Sequence, residues 1–235
     1  YKLAEQAGHS VTALRPSLVP ITSEGNLCPS LQGLSLKNVR LSIVSTANGK
    51  TVFEDFGEMM FTHFGMTGPM VLSASSHIPD IASGKYEAQI DLKPALDEAA
   101  LDARIRSDFQ KYNNKDFINS LGDLLPLKMI EPVVELSGID PRKKVNSVTR
   151  EERHSLLSVI KGIKLQLSGF RPIEEAIITK GGVAVNEINP KTMGSKLVKG
   201  LYFAGEVIDL DAYTGGFNLQ IAFSTAVVAG ENAAE

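Results

Sequence analysis

At 235 residues and 25.3 kDa, with 43% apolar and 22% charged residues, the chain fits one large or two modest globular domains, which excludes disorder, collagen and low-complexity fibre. Its 24 Lys and Arg against 27 Asp and Glu leave a net charge of −3, with no global field to attract nucleic acid or anionic lipid, so neither a nucleic-acid nor a membrane partner is expected. The lone Cys28 allows no internal disulfide and no Cys-based zinc site, which points to a reducing, cytoplasmic compartment.

The first third reads as strands: Val11 to Ile21, Val39 to Thr46, Thr51 to Phe56, Met59 to Phe64, Val71 to Ser75 and Lys85 to Leu92, each bounded by Gly, Pro, Asn or Ser. Asn48-Gly49 is a hairpin signal between the second and third. Loop Gly65-Met66-Thr67-Gly68-Pro69 follows, with His63 as a candidate proton donor or acceptor beside a ligand and Thr67 as a further candidate catalytic residue; a tight turn and a satisfied histidine are the plainer alternative.

From Pro94 the period becomes helical, as Leu96, Leu101, Ile105 and Phe109 recur at spacings of four or five. Helices are expected over Phe117 to Leu124, Pro126 to Leu136 and Arg150 to Leu167, with a capping box at Thr149 and Glu152 and C-terminal caps at Gly138 and Gly169. The basic cluster Arg142, Lys143, Lys144, Arg150 and Arg153 is interrupted by Glu151 and Glu152, without interleaved aromatics, and reads as a solvated helix entry. Residues 21–93 are thus expected to form a barrel-like antiparallel sheet, and 94–170 a helical subdomain.

Beyond Pro172, strands are expected at Ala176 to Thr179, Val183 to Ile188 and Gly200 to Ala204, with Gly181-Gly182 as a break. The helix Asn218 to Asn232 is apolar around most of its circumference and expects cover on several sides. A strand ending in Gly205-Glu206 that turns through Gly215-Gly216 into this helix leaves free N–H groups at the helix start, which suits an anion or a dipole; ordinary glycine caps are the alternative. His9, His77 and His154 share no metal-ligand spacing, and Ser17, Ser168 and Ser195 lack a nucleophile-elbow context, so neither a metal site nor hydrolase chemistry is expected.

The strings Thr179-Lys180-Gly181-Gly182-Val183, Thr192-Met193, Ser195-Lys196, Gly200 to Glu206 and Thr214 to Gln220 carry a resemblance, together with Phe61 to Pro69 and Leu14 to Pro20. The chain resembles the bacterial flavoproteins called BaiN-type, aminoacetone-oxidase-family or NAD(FAD)-utilising dehydrogenases, which have two dinucleotide-binding domains. The resemblance implies an FAD-dependent oxidoreductase, with Gly205 and Glu206 beside the ribityl and pyrophosphate groups. It brings Gly215, Gly216, Phe217, Asn218 and Leu219 to the isoalloxazine, adds Thr179 to the candidate catalytic residues, and allows NAD(P)H as electron donor. No G-x-G-x-x-G fingerprint for the ADP half occurs, and the chain opens on Tyr1.

The expected fold class is therefore an α+β insert joined to the C-terminal part of a Rossmann-like FAD-binding domain. Residues 1–20 would be a remnant of that domain, 21–176 the insert and 177–235 its C-terminal part. The missing N-terminal half would be the partner and a small molecule the substrate. The fragment alone would be inactive and bind FAD weakly or not at all, with Gly205 to Gly216 mobile or held by a partner chain. The competing readings are a substrate- or partner-binding module without catalysis of its own, and a structural protein whose glycine turns are only caps.

Overall fold

A computed structural model describes residues 1–79 and 81–234. In chain order the elements are α1 (Lys2–Gln6), β1 (Arg15–Ser17), β2 (Ile21–Ser23), α2 (Leu27–Ser30), β3 (Ser35–Ser45), β4 (Thr51–Thr62), β5 (Gly65–Thr67), α3 (Pro69–His77) and β6 (Tyr86–Asp91). They continue with α4 (Glu98–Lys111), α5 (Leu127–Ser137), α6 (Arg150–Lys161), β7 (Ile163–Phe170), β8 (Ile178–Lys180) and α7 (Phe217–Ala233). The chain divides into two compact units, residues 1–21, 71–80 and 170–235, and residues 22–70 and 81–169.

Unit two is built on a closed barrel in the order β2-β5-β4-β3-β6-β7. Strand alternation sends Leu41, Ile43, Met59, Phe61, Ala88, Ile90 and Leu165 inward, each at most 3% exposed, and the resulting core holds the sheet closed. Between Leu36 and Val39, both buried but an odd number of residues apart, β3 shifts register against β4. Asn38, at φ 56°, takes up that extra residue, since its short amide tolerates the left-handed region. The turn to β4 uses Gly49 at φ 67°, with the Lys50 amide donating to Asn48 Oδ1 at 3.0 Å.

Three sequence expectations change here. The strands expected at Thr51 to Phe56 and Met59 to Phe64 are one strand, β4, because Gly57 does not break it but opens room for the Met70 side chain. The strand expected at Val71 to Ser75 is helix α3: Pro69 suits the first helical turn, and Ser75 and Ser76 return their hydroxyls to the Leu72 and Ser73 carbonyls. The helix expected to run from Arg150 to Leu167 ends at Lys161; Ile163, Leu165 and Leu167 then alternate with polar residues as β7, so Gly169 is a strand residue beside Thr22 rather than a cap.

The helices of unit two follow their end signals. Asp97 caps α4 by accepting from the Ala100 amide at 2.7 Å, Thr149 and Glu152 form the capping box of α6, and Gly138 ends α5 at φ 69°. Leu101 and Ile105 of α4, Met129 and Val133 of α5, and Leu156 and Ile160 of α6 are buried at helical spacing. Phe117–Ser120, expected within a longer α-helix, is a 3-10 turn.

Unit one contains one antiparallel strand pair, β1 with β8, and a small core of Ala4, Val183, Ile188, Phe203 and Ile208. The strands expected at Val183 to Ile188 and Gly200 to Ala204 reduce to single bridges, Val11 with Val183, Val183 with Ile208, and Gly194 with Tyr202. Gly181-Gly182 is a packing pair: a Cβ there would meet the Ala13 carbonyl oxygen at 2.4 Å and the Val207 carbonyl oxygen at 2.5 Å. Helix α7 buries only Ala229, while Phe217, Leu219, Phe223 and Val227 are 59–64% exposed, so the cover expected for this helix is not supplied by the described residues.

Candidate functional site

The resemblance-derived residues of unit one come together around the start of α7. Gly205 opens a 3-10 turn through Val207, and its amide donates to Thr225 Oγ1 at 3.0 Å, which ties the turn to the second half of the helix. Its missing Cβ would lie 3.8 Å from Ala222, so a small helix residue allows the approach. Gly216 is the N-cap at φ 91° and offers no side chain to the helix, and Gly215 precedes it at φ 105°. The amides of Phe217, Asn218 and Leu219 therefore begin a 17-residue helix without a side-chain cap. A Cβ on Gly216 would meet nothing within 4 Å, and Gly215, Gly216, Phe217 and Leu219 are exposed. Glu206 points to solvent, its carbonyl taking a 3.5 Å bond from the Tyr1 hydroxyl.

The segment from Gly205 to Gly216 makes a series of contacts within unit one. The Asp209 amide donates to the Val183 carbonyl, and its carboxylate accepts from Thr12 Oγ1 at 2.9 Å. Asp211 accepts from the fully buried Ser17 hydroxyl at 2.9 Å and faces Lys180 Nζ at 3.7 Å. Tyr213 stacks on His77 at 5.3 Å between ring centroids, and Thr214 Oγ1 lies 3.3 Å from Ser73 Oγ. Asn218 reaches back with both ends of its carboxamide, Oδ1 accepting from the Ala212 amide and Nδ2 donating to the Ala212 carbonyl, each at 2.9 Å. The Gly-Gly turn at the end of this loop has the backbone form that suits a planar or anionic ligand.

With this geometry in view, the comparisons decide the family. The model described as "HI0933-like protein barrel and H2TH domain" matches residues 15–178, more than half of the chain. The chain belongs to the HI0933-like family. Among curated relatives of this HI0933-like chain, the ribosomal RNA dihydrouridine synthase of Escherichia coli K12 is 34% identical over 96% of the chain and 54% of its own length. The synthase of the same name from Haemophilus influenzae is 32% identical over 96% and 53%. The 3-dehydro-bile acid delta(4,6)-reductase of Clostridium scindens is 27% identical over 100% and 57%. The HI0933-like chain thus spans about half the length of the curated relatives it matches. None of its described helices is long and apolar enough to cross a membrane.

The candidate catalytic residues are divided between the two units. His63 is exposed in the β4–β5 turn of unit two, edge-on to Phe64 at 5.0 Å. Thr67 ends β5 opposite Met60. Thr179 sits in β8 of unit one opposite Pro16, its hydroxyl 3.4 Å from that of Tyr1. Cys28 is fully buried, takes the Ser23 hydroxyl at 3.1 Å, and burial pushes its thiol above the ordinary range, which suits a packing residue.

One constellation escaped the sequence. His9 and Ser195, scattered in the chain, meet: Nε2 of His9 lies 2.8 Å from Ser195 Oγ, and Nδ1 lies 3.1 Å from Glu187 Oε2. The order Ser-His-Glu resembles a nucleophile relay, but Ser195 Oγ also accepts the amides of Leu197 at 3.0 Å and Val198 at 2.8 Å. With its lone pairs occupied and its proton given to the imidazole, this hydroxyl is a saturated structural joint. The Ser10 hydroxyl, the Ser10 amide and His9 hold the Glu187 carboxyl below the usual carboxylate range. The signals missed were contextual: Thr225 and Ser17 become informative only once the loop they hold is known.

Proposed function

We propose that the protein is the part of an FAD-dependent reductase that carries the flavin-facing turn, and that hydride transfer through the flavin reduces an unsaturated substrate. The observation that carries this reading is the turn Gly215-Gly216 at the uncapped start of α7, where a Cβ on Gly216 would meet no protein atom within 4 Å and one on Gly215 only the Phe217 ring. The residues fit the group: the Phe217, Asn218 and Leu219 amides would face the pyrimidine edge of the ring, and the glycines remove the Cβ atoms its flat face would strike. When bound, the flavin supplies the redox chemistry. The helix start stabilises negative charge developing at that edge, and the joint of Gly205 with Thr225 keeps the neighbouring turn in register with it.

The exposed Phe217, Leu219, Phe223 and Val227 support a second element of the reading, that sequence outside residues 1–235 covers α7 and completes the cofactor site. The length of the relatives agrees with it. For the substrate, the bile-acid reductase name favours a free small molecule, whereas identities of 34% and 32% to two ribosomal RNA dihydrouridine synthases favour a second reading, a uridine within RNA. Both names describe reduction. The test is flavin occupancy of the full polypeptide with Gly216 and Gly84 each replaced by Val: loss in the Gly216 variant alone supports the reading, and full occupancy there refutes it.

A further inference from the structure

The net charge of −3 averages over a local excess. Residues 104–116 and 142–153 hold nine Lys and Arg against four Asp and Glu, and counting Asp102 and Asp123, which lie against them, still leaves a surplus of three positive charges. Between these segments in unit two lies an open cleft of about 350 Å³, walled by Arg106, Phe109, Gln110, Asn113, Asn146 and Arg153. Its wall contains no carboxylate.

Asp102 holds both arginines by their Nε atoms, Arg153 at 2.6 Å and Arg106 at 3.1 Å, which fixes the guanidinium planes yet leaves their terminal NH2 groups without another hydrogen bond among the described residues. Arginine recognises a phosphate through such a pair of parallel N–H groups. The Gln110 and Asn113 side chains make no hydrogen bond among the described residues, and Asn146 spends only its oxygen, on Ser147 Oγ at 3.1 Å. Exposed carboxamides pair a donor with an acceptor, as the edge of a nucleobase does. Phe109 is half-buried and steadied edge-on by Phe117 at 6.2 Å, which gives the wall a fixed aromatic ring. A volume of this size suits one nucleotide.

We propose that this cleft binds a single-stranded RNA segment, seating a phosphate on Arg106 and Arg153 and a base against Phe109, Gln110 and Asn113. Guanidinium, amide and aromatic groups side by side form the combination that reads an unstacked strand; a simple polyanion site needs only the charges. The proposal rests on the RNA reading of the substrate. Its assay contains neither flavin nor reductant, so failure here leaves the flavin reading standing.

The assay is fluorescence anisotropy with a labelled mixed-sequence single-stranded RNA of about 20 nucleotides, titrated between about 50 and 200 mM salt, with inorganic polyphosphate as competitor. Arg106→Ala should weaken binding about tenfold and lower the salt slope by roughly 0.7, the value for one phosphate contact on a single strand. Replacing Gln110 and Asn113 together with Ala should weaken binding about fivefold or more with the slope unchanged, because base contacts release no counterions. Arg106→Lys, which keeps the charge, should retain the slope while losing affinity, and circular dichroism checks that each variant folds. Lys37→Ala, at an exposed position near the start of β3, should leave binding as it was. The proposal is overturned if the unmodified chain binds no RNA at the lowest salt, or if Lys37→Ala weakens binding as much as Arg106→Ala. It is equally overturned if polyphosphate displaces RNA phosphate for phosphate while the Gln110 and Asn113 variant binds normally.

Discussion

Replacing Gly216 with Val tests the flavin reading most directly, because the structure supplies a matched control. Gly216 stands at φ 91° and Gly84 at φ 84°, and a Cβ at either would meet no atom within 4 Å. Each Val must therefore carry the same backbone strain, about 1–2 kcal/mol for a left-handed non-glycine residue and somewhat more for a β-branched one, with no clash inside the chain. For a protein of this size that strain corresponds to a fall in Tm of roughly 3–8 °C in both variants. If a flavin lies over the turn, Gly216→Val alone meets the ring. A loss of about 1.4 kcal/mol would then lower affinity tenfold, and a direct collision would cost more. The assay is the flavin-to-protein absorbance ratio of the full polypeptide beside its circular dichroism melting curve. Equal flavin loss in the two variants would reduce the effect to general destabilisation. Full occupancy in Gly216→Val would remove this turn from the cofactor site.

Other expectations are simpler. Asn218→Ala removes both bonds to Ala212 and should cost about 1–3 kcal/mol, with faster amide exchange confined to residues 209–216 as the readout. Phe61→Ala, in the fully buried barrel core, should cost about 3–5 kcal/mol in urea unfolding, and a loss under about 1 kcal/mol would contradict the barrel packing. Glu187 and Glu152 both have folded-state pKa values lowered below the ordinary carboxylate value, Glu187 by Ser10 and His9 and Glu152 by Lys143 and the Thr149 amide. Their stabilisation is therefore complete above the unfolded pKa near 4.3 and lost as pH falls through the lower folded values, so a Glu187→Gln variant should show a shallower acid decline than the unmodified chain.

Where local signals and long-range packing agree, the fold can be read from the chain. The Asn48-Gly49 turn, the alternation of Leu41 and Ile43, the capping box of Thr149 and the Gly138 terminus all survive in the structure, because each depends on residues within one or two turns. Val71-Leu72 failed as a strand since a short apolar run has no period of its own, and Pro69 with the back-bonding serines decided for a helix. The run through Ile160 to Leu167 failed for the opposite reason: apolar residues on both sides of Gly162 keep a continuous pattern, although the backbone changes there from α6 to β7. The excess charge beside α4 was hidden by distance, since Arg106 and Arg153 share Asp102 across 47 residues and no window along the chain contains both.

The site separates in the same way. Gly215 and Gly216 announce a place where backbone must be approached closely, but the sequence does not tell whether the loop before them waits for a ligand to order it. The contacts of Asp209, Asp211, Tyr213, Thr214 and Asn218 show what the loop is tied to within unit one: a buried serine, a lysine, a histidine ring and a carboxamide. What the turn lacks is enclosure, since four large apolar side chains of α7 stand in solvent beside it. On the flavin reading, a cofactor seated there would gain shape and hydrogen bonds from residues 205–219, but its apolar ring would still exchange one wet surface for another. Affinity at this turn therefore depends on whatever covers α7, and a variant that loosens the loop should be felt less than one that uncovers the helix.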